Sequence, residues 1–254
     1  MRVIALATLL LPALVAGAAS PATEAVTIRG QRQGLHVYGA RGGPAAVVAS
    51  GDGGWVHLGP DVAEFLSTRG YFVAGLDSKA YLSSFTHGET TLTPADVPPD
   101  FAVLLDYAAR GGAGRPLLLG VSEGAGLAVL AAADDTVKGK ALGVIALGLP
   151  DKNELGWRFR DSVIYMTKGV PKEPLFSAAD VIGRVAPLPI AAIHSTRDEF
   201  VSVDEVQRVL GRAREPKRLT LIDAEDHRFS GRETELRSRI LEAIEWIEHL
   251  AKAP

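Results

Sequence analysis

The sequence predicts an α/β protein in which helices cover both faces of a mostly parallel sheet. The first observation is a series of short, continuously apolar segments, at residues 45–50, 71–77, 115–122, 141–149, 189–196 and 218–224. Such segments are typical of parallel strands, because both faces of a parallel sheet are buried. The second observation is that helical patterns separate these segments. Alternating strands and helices favour a three-layer architecture with right-handed crossovers.

Amphipathic segments supply the helices. The segment 61–70 is amphipathic, a further helix is predicted over 93–112, and apolar residues with the spacing i, i+3, i+4 and i+7 occur at 203–213 and 232–252. In the second segment, Thr93 is a candidate N-cap, and Pro98-Pro99 predicts that the regular helix starts at about Asp100. Near the N-terminus, residues 26–30 and 35–40 are predicted to form an antiparallel edge pair, because only a short polar connection separates them.

The first 22 residues are expected to be a signal peptide. Arg2 precedes an apolar stretch of secretory length, and small residues such as Ala16 and Ala18 follow it, which suits signal-peptidase cleavage. The alternative is an uncleaved membrane anchor, for which the stretch is short. Residues 23–254 are then expected to form a single domain, because we find no linker or internal repeat in this range.

Composition narrows the classes of function. The chain has 254 residues, a formal net charge of −3 and no cysteine. The missing cysteines exclude disulfides, thiolate metal sites and a cysteine nucleophile. Mixed charges along the chain argue against nucleic-acid binding. We predict no metal and no cofactor.

The segment 151–188 is long for a single connection. It carries several aromatic residues among many charges, namely Trp157, Phe159, Tyr165 and Phe176. Long connections in compact domains are usually functional or disordered. Two interpretations stay open, a lid or substrate-recognition insertion and a plain structural excursion.

Ser122 is the candidate nucleophile. It lies in the sequence Gly-Val-Ser-Glu-Gly, where a predicted strand meets a predicted helix. Gly120 and Gly124 remove side chains that would collide in a sharp strand–turn–helix, which is the context that the motif G-x-S-x-G requires in α/β-hydrolases. Such a turn exposes the serine oxygen and directs the backbone N–H of Glu123 toward the same space.

A serine nucleophile needs a base, which a carboxylate orients. In α/β-hydrolases the chain order is serine, acid, histidine. Asp198 follows the predicted strand 189–196 and His227 follows the predicted strand 218–224, so both are expected at the edge where open α/β sheets build their sites. Among the other candidates, His194 is expected to be a packed polar residue of its strand. Alternative acids are Glu199, Asp204, Asp223 and Asp226.

The glycine-rich loop at 50–60 is the candidate for the second half of an oxyanion hole, because it follows the strand that supplies this element in α/β-hydrolases. We predict that the N–H of Asp52, or else of Gly53, points into the site beside that of Glu123. The aromatic candidates for substrate contact are Trp55, Tyr81 and Trp157, and packing is the favoured alternative for Trp55.

Together these motifs resemble those of the bacterial VirJ/AcvB virulence-protein family. The resemblance depends on SGDGGW at 50–55, GYFVAGLDSKAYL at 70–82, TPADV at 93–97, GVSEGAG at 120–126 and DHRFSG at 226–231. One departure is Glu123, where the family more often has an apolar or aromatic residue after the serine. In the second motif Tyr81 fits an aromatic segment of the family, although its neighbours differ.

The resemblance implies a periplasmic serine hydrolase with the α/β-hydrolase fold. It also implies action on an aminoacyl ester of a lipid such as lysyl-phosphatidylglycerol, with peripheral membrane contact and secretion-system components as partners. The residues alone leave two alternatives open. One is a catalytically silent binding or secretion-accessory protein with the same fold, and the other is a peptidase or acyltransferase with the same triad.

Overall fold

Eight strands form the central sheet in the computed structural model, which describes residues 22–158 and 173–252. The predicted signal peptide and the centre of the 151–188 segment, with Phe159 and Tyr165, lie outside the described residues. The strands of this sheet are β1 (Ala22–Ile28), β2 (Gln31–Tyr38), β3 (Pro44–Ala49), β4 (Phe72–Leu76), β5 (Ala113–Val121), β6 (Gly143–Leu147), β9 (Ile190–Ser195) and β10 (Lys217–Ile222).

The strand order is β1-β2-β4-β3-β5-β6-β9-β10. β2 is antiparallel to both of its neighbours, and all other neighbouring pairs are parallel. The predicted antiparallel edge pair is therefore confirmed, and so is the mostly parallel sheet. Because the strands from β3 onward share one direction, their carboxyl ends meet at one edge of the sheet, where the site is built.

Helices cover both faces of this sheet. Their bounds are α1 (Leu58–Thr68), α2 (Ser78–Ser84), α3 (Val97–Gly111), α4 (Glu123–Ala132), α5 (Asp135–Lys138), α6 (Ala178–Val181), α7 (Val203–Gly211) and α8 (Glu233–Lys252). Successive strand residues enter opposite layers: Val47 packs with α3 and α4, and Val48 with α1 and α8. This alternation explains why the central strands are apolar throughout.

The helix predicted over 93–112 begins later than its possible cap and earlier than Asp100. α3 starts at Val97, with Pro98 and Pro99 in its first turn. The N–H groups at these positions have no intrahelical acceptor, so the prolines cost no hydrogen bond there. Thr93 instead donates its hydroxyl to Asp96, at 2.7 Å.

The described ends of the 151–188 segment pair with each other. β7 (Lys152–Glu154) and β8 (Leu175–Ser177) form a separate two-stranded antiparallel sheet, which the sequence analysis did not predict. β7 brings the buried Asn153 side chain against Gly126 of α4, where a Cβ would collide with the Asn153 amide. No helix in the two described ranges has both the length and the apolar character needed to cross a membrane.

Candidate active site

Ser122 occupies a sharp turn between β5 and α4. Its backbone has φ of 52° and ψ of −119°, a combination that costs a non-glycine residue free energy. A Cβ at Gly120 would lie 2.5 Å from Cα of Ala125, and one at Gly124 would collide with the carbonyl oxygens of Ala49 and Ser50. The two glycines therefore permit the close approach of strand, helix and neighbouring loop that the turn needs.

Asp198 and His227 are joined by a short hydrogen bond. The His227 Nδ1 atom lies 2.6 Å from Oδ2 of Asp198. Because the carboxylate is an acceptor, Nδ1 carries the proton, and the neutral ring keeps its lone pair on Nε2. The other carboxylate oxygen of Asp198 accepts the backbone N–H groups of Phe200 and Val201, both at 2.9 Å. The acid is thus fixed by its own turn.

The surroundings of Asp198 favour its ionised form. The side chain is 1% exposed, and burial by itself raises the pKa of a carboxyl group. The hydrogen bond and charge of His227, with the two backbone N–H groups, outweigh burial and lower the pKa of Asp198 below its ordinary value. A carboxylate that stays ionised can orient the imidazole and stabilise a proton on it.

Two further contacts hold the imidazole of His227, and a third holds its backbone. Its ring lies over Gly148, where a Cβ would come within 2.6 Å of Cε1. Phe200 meets the ring edge-to-face, with centroids 5.5 Å apart. The backbone N–H of His227 donates to Oε2 of Glu199, at 2.8 Å. Glu199, an alternative acid in the sequence analysis, therefore binds the backbone of His227 and not its ring.

The loop after β3 lies directly against the serine. A Cβ at Gly51 would be 3.4 Å from Cβ of Ser122. Within the loop, the N–H of Gly54 donates to the carbonyl of Gly51 at 3.1 Å. Among the described residues, the N–H groups of Asp52 and Gly53 donate no backbone hydrogen bond. Both are available for a ligand, as is the N–H of Glu123, which as the first residue of α4 has no intrahelical acceptor.

A cavity of about 330 Å³ brings these groups together. Ser122, His227, Asp52, Gly53 and Glu123 all line it. Its wall also contains residues that the sequence analysis did not single out, the apolar Val56 and Phe200, the basic Lys152 and Arg228, and the acidic Glu154. Phe200 could have been predicted as a cavity residue from its position after strand β9. No local sequence pattern marked Lys152 or Glu154.

The Glu123 side chain is buried beside the serine. Its Oε1 accepts the backbone N–H of Glu154, at 2.7 Å. Burial, with the nearby charges of Glu154 and Asp52, raises the pKa of Glu123 well above its ordinary value, and the hydrogen bond only partly opposes this. The protonated carboxyl is therefore favoured unless a cation enters the cavity.

The three aromatic residues predicted to contact substrate lie outside this cavity wall. Trp55 stacks on His36, with centroids 4.7 Å apart, and donates its indole N–H to the Tyr38 hydroxyl. Tyr81 is fully buried and donates to Asp100 at 2.7 Å.

Trp157 packs against the core, with the Lys79 ammonium 4.4 Å from its ring. The structure thus gives all three aromatic residues packing roles, and for Tyr81 the burial is incompatible with substrate contact.

The chain matches solved structures of α/β-hydrolases. An esterase from Pyrococcus furiosus superposes with a TM-score of 0.65 and 18% identity, covering 89% of each chain. Est1E from Butyrivibrio proteoclasticus has a TM-score of 0.63 and 14% identity over 88% of this chain and 99% of its own. A membrane phospholipase A described as a bacterial virulence factor has a TM-score of 0.61 and 14% identity over 90% and 87%. At these identities the likeness shows the fold, which is that of the α/β-hydrolases.

Sequence comparison identifies the family. A search of curated proteins found no match. The family model described as "Bacterial virulence protein (VirJ)" matches residues 44–245, which include the serine, acid and histidine positions described above. The chain therefore belongs to the VirJ family of bacterial virulence proteins and has the α/β-hydrolase fold that the resemblance implied.

Proposed function

We propose that this protein is a serine ester hydrolase with Ser122 as nucleophile, His227 as base and Asp198 as the orienting acid. One observation carries the proposal. The buried 2.6 Å contact between His227 and Asp198 forces the imidazole into the tautomer with a free Nε2. That ring lines the same cavity as a serine on a strained turn. Strain of this kind persists where the surrounding structure enforces it, and it concentrates at functional sites.

The chemistry follows from these positions. Nε2 of His227 takes the hydroxyl proton while Oγ of Ser122 forms a bond to the ester carbonyl carbon. The N–H of Glu123, with that of Asp52 or Gly53, donates to the developing oxyanion. The intermediate then expels the alkoxide, which receives the proton from His227. In the second half, His227 deprotonates a water that attacks the acyl carbon, and it returns this proton to Oγ of Ser122 as the acyl–oxygen bond breaks and the acid leaves.

As the substrate we propose an ester of a lipid, with the aminoacyl ester of lysyl-phosphatidylglycerol as the specific candidate. The charges of the cavity suit such a molecule. Lys152 and Arg228 are exposed cations that complement a phosphate, whereas Asp52, Glu123 and Glu154 are carboxyls that complement an ammonium group. A cation would restore the charge of Glu123, because an adjacent positive charge lowers the pKa of a carboxyl group.

The location is part of the same proposal. An exported, periplasmic protein would meet this lipid at a membrane surface. The exposed side chains of Val56 and Phe200 lie at the cavity, where they suit peripheral contact with lipid. Secretion-system components are the protein partners that family membership suggests.

Labelling with a fluorophosphonate tests the nucleophile. We expect one adduct, located at Ser122 by peptide mass spectrometry, and its loss in His227→Ala. Wild-type protein that is folded and remains unlabelled, also with a small fluorophosphonate that enters a narrow cavity, would contradict the proposal and favour the silent binding protein. A labelled protein is then assayed with p-nitrophenyl acetate and with vesicles that contain lysyl-phosphatidylglycerol.

A further inference from the structure

His194 is a second histidine beside the acid, and the mechanism above gives it no role. It is the fifth residue of β9 and is fully buried. Its Nδ1 atom lies 3.9 Å from Oδ2 of Asp198. The same oxygen is 2.6 Å from Nδ1 of His227, so the carboxylate lies between two imidazoles.

A backbone carbonyl fixes the protonation of His194. Its Nε2 atom lies 3.0 Å from the carbonyl oxygen of Val201. Because a carbonyl oxygen only accepts, Nε2 carries a proton, and the neutral ring has a lone pair on Nδ1. Within the described ranges this Nδ1 has no hydrogen-bond partner. Neutral His194 therefore offers Asp198 no hydrogen bond that competes with the one from His227.

The hydrogen bond from His194 also secures the turn that holds the acid. Val201 donates its N–H to Oδ1 of Asp198 and accepts at its carbonyl from His194. Val201 is 3% exposed, so water cannot readily replace a lost donor. Without His194, the Val201 carbonyl would lose its side-chain donor, and the turn that holds Asp198 would lose one of its ties to β9.

We propose that His194 is a positioning residue for the catalytic acid, which acts through Val201 and in its neutral form leaves Oδ2 of Asp198 to His227. The kinetic consequence of this inference rests on the proposed hydrolase function. The tautomer and the effect on His227 do not depend on any substrate.

The charged surroundings are compatible with a neutral ring. Burial is the largest influence and lowers the pKa of His194 below 6.5. Asp198 and Glu205 favour the cation, and His227 opposes it, but together they do not overcome burial. His194 is therefore expected to stay neutral at pH 7.

NMR of the full chain labelled with ¹⁵N-histidine tests the tautomer directly. At pH 7 we expect His194 to be protonated only at Nε2 and His227 only at Nδ1. A doubly protonated His194, or one protonated at Nδ1, would overturn the inference. This measurement needs no variant and no substrate.

Two variants test the positioning role. His194→Gln keeps a donor for the Val201 carbonyl, whereas His194→Met fills the space without one. We expect the Met variant to weaken the hydrogen bond from Nδ1 of His227 to Asp198, so that the NMR signal of the Nδ1 proton moves upfield. Its kcat should fall about tenfold with KM little changed, since the substrate is not touched. The Gln variant should restore both quantities.

The matched controls are His36→Gln and His36→Met, since His36 is a half-buried histidine stacked on Trp55 and outside the cavity wall. Both should leave the signal of the His227 Nδ1 proton unchanged. A merely structural role for His194 would lower Tm without moving this signal, and that result would overturn the inference. If His194→Met does not fold, the NMR measurement of the His194 tautomer in the wild-type protein is the test of the inference.

The two proposals fail in different ways. A wild-type protein without ester hydrolysis contradicts the hydrolase function, while the NMR signal of the His227 Nδ1 proton still tests His194. An active wild type whose Nδ1 proton signal is the same in His194→Met contradicts only the positioning role.

Discussion

Replacing Ser122 by alanine and by glycine separates its catalytic role from its backbone strain. Both substitutions remove the hydroxyl, so both should lower kcat/KM for a soluble ester by a factor on the order of 10³ or more. Only glycine removes the Cβ that makes φ of 52° costly. Alanine keeps this strain and, at a half-buried site, should leave Tm nearly unchanged.

The expected gain for glycine can be worked out. Strain at such a backbone position is on the order of 1–3 kcal/mol. Glycine relieves this strain but costs roughly 0.5–1 kcal/mol of stability relative to alanine, because an unfolded chain with glycine is more flexible. The difference is about 1 kcal/mol in favour of Ser122→Gly over Ser122→Ala. For a protein of this size, it corresponds to a Tm higher by about 2–4 °C.

Differential scanning calorimetry of the two variants measures this difference, and His57 provides a matched control. His57 precedes α1 with φ of 54° and ψ of −120°, nearly the dihedral angles of Ser122, and its side chain is exposed. His57→Gly should exceed His57→Ala in Tm by a similar amount. Equal Tm values for the alanine and glycine variants at position 122 would refute the strain argument. Wild-type turnover in Ser122→Ala would remove this serine from the mechanism.

Three further substitutions test the surroundings of the serine. Asp198→Asn should lower kcat by a factor on the order of 10³–10⁴, because the amide favours the wrong imidazole tautomer; an unchanged kcat would exclude Asp198 as the acid. Glu123→Gln should raise Tm by an amount that grows as the pH rises above about 4.5. In this range the folded wild type keeps the proton of Glu123, whereas the unfolded chain releases it, so only the wild type loses stability; a pH-independent difference would contradict the raised pKa of Glu123. Gly148→Ala should lower kcat about 100-fold, because its Cβ displaces the His227 ring; an active variant would show that the ring position is not critical.

The sequence predicted the sheet and its edge pair because those signals are local. Continuous apolar segments reflect burial on both faces, and the short connection between β1 and β2 permits an antiparallel pair. Placing Ser122, Asp198 and His227 near one another needed only one more rule, that parallel strands bring their carboxyl ends to one edge. These three residues lie in loops directly after β5, β9 and β10.

Contacts between distant segments account for what the sequence could not predict. Tyr81 is an aromatic residue of a kind that often contacts substrate. Its hydroxyl instead donates to Asp100, which also accepts a hydrogen bond from Arg29, 71 residues away in the sequence. Trp55 follows the glycines of a site loop, yet its ring fills the space over Gly75 and stacks on His36. Nothing within a few residues of either aromatic group indicates these partners.

The cavity wall also depends on contacts between residues that are distant in sequence. Glu154 comes from the segment 151–188, whose function the sequence left open. It lines the cavity from β7, which pairs with β8, and its N–H donates to Glu123. Glu123 thus has a hydrogen-bond partner that comes from this insertion, remote in sequence. If that insertion shapes substrate choice, it does so by setting the charge of Glu123, since burial and Glu154 together favour its neutral form. The growth of the Glu123→Gln stabilisation with pH is therefore also a measure of how strongly this cavity is prepared to receive a cation.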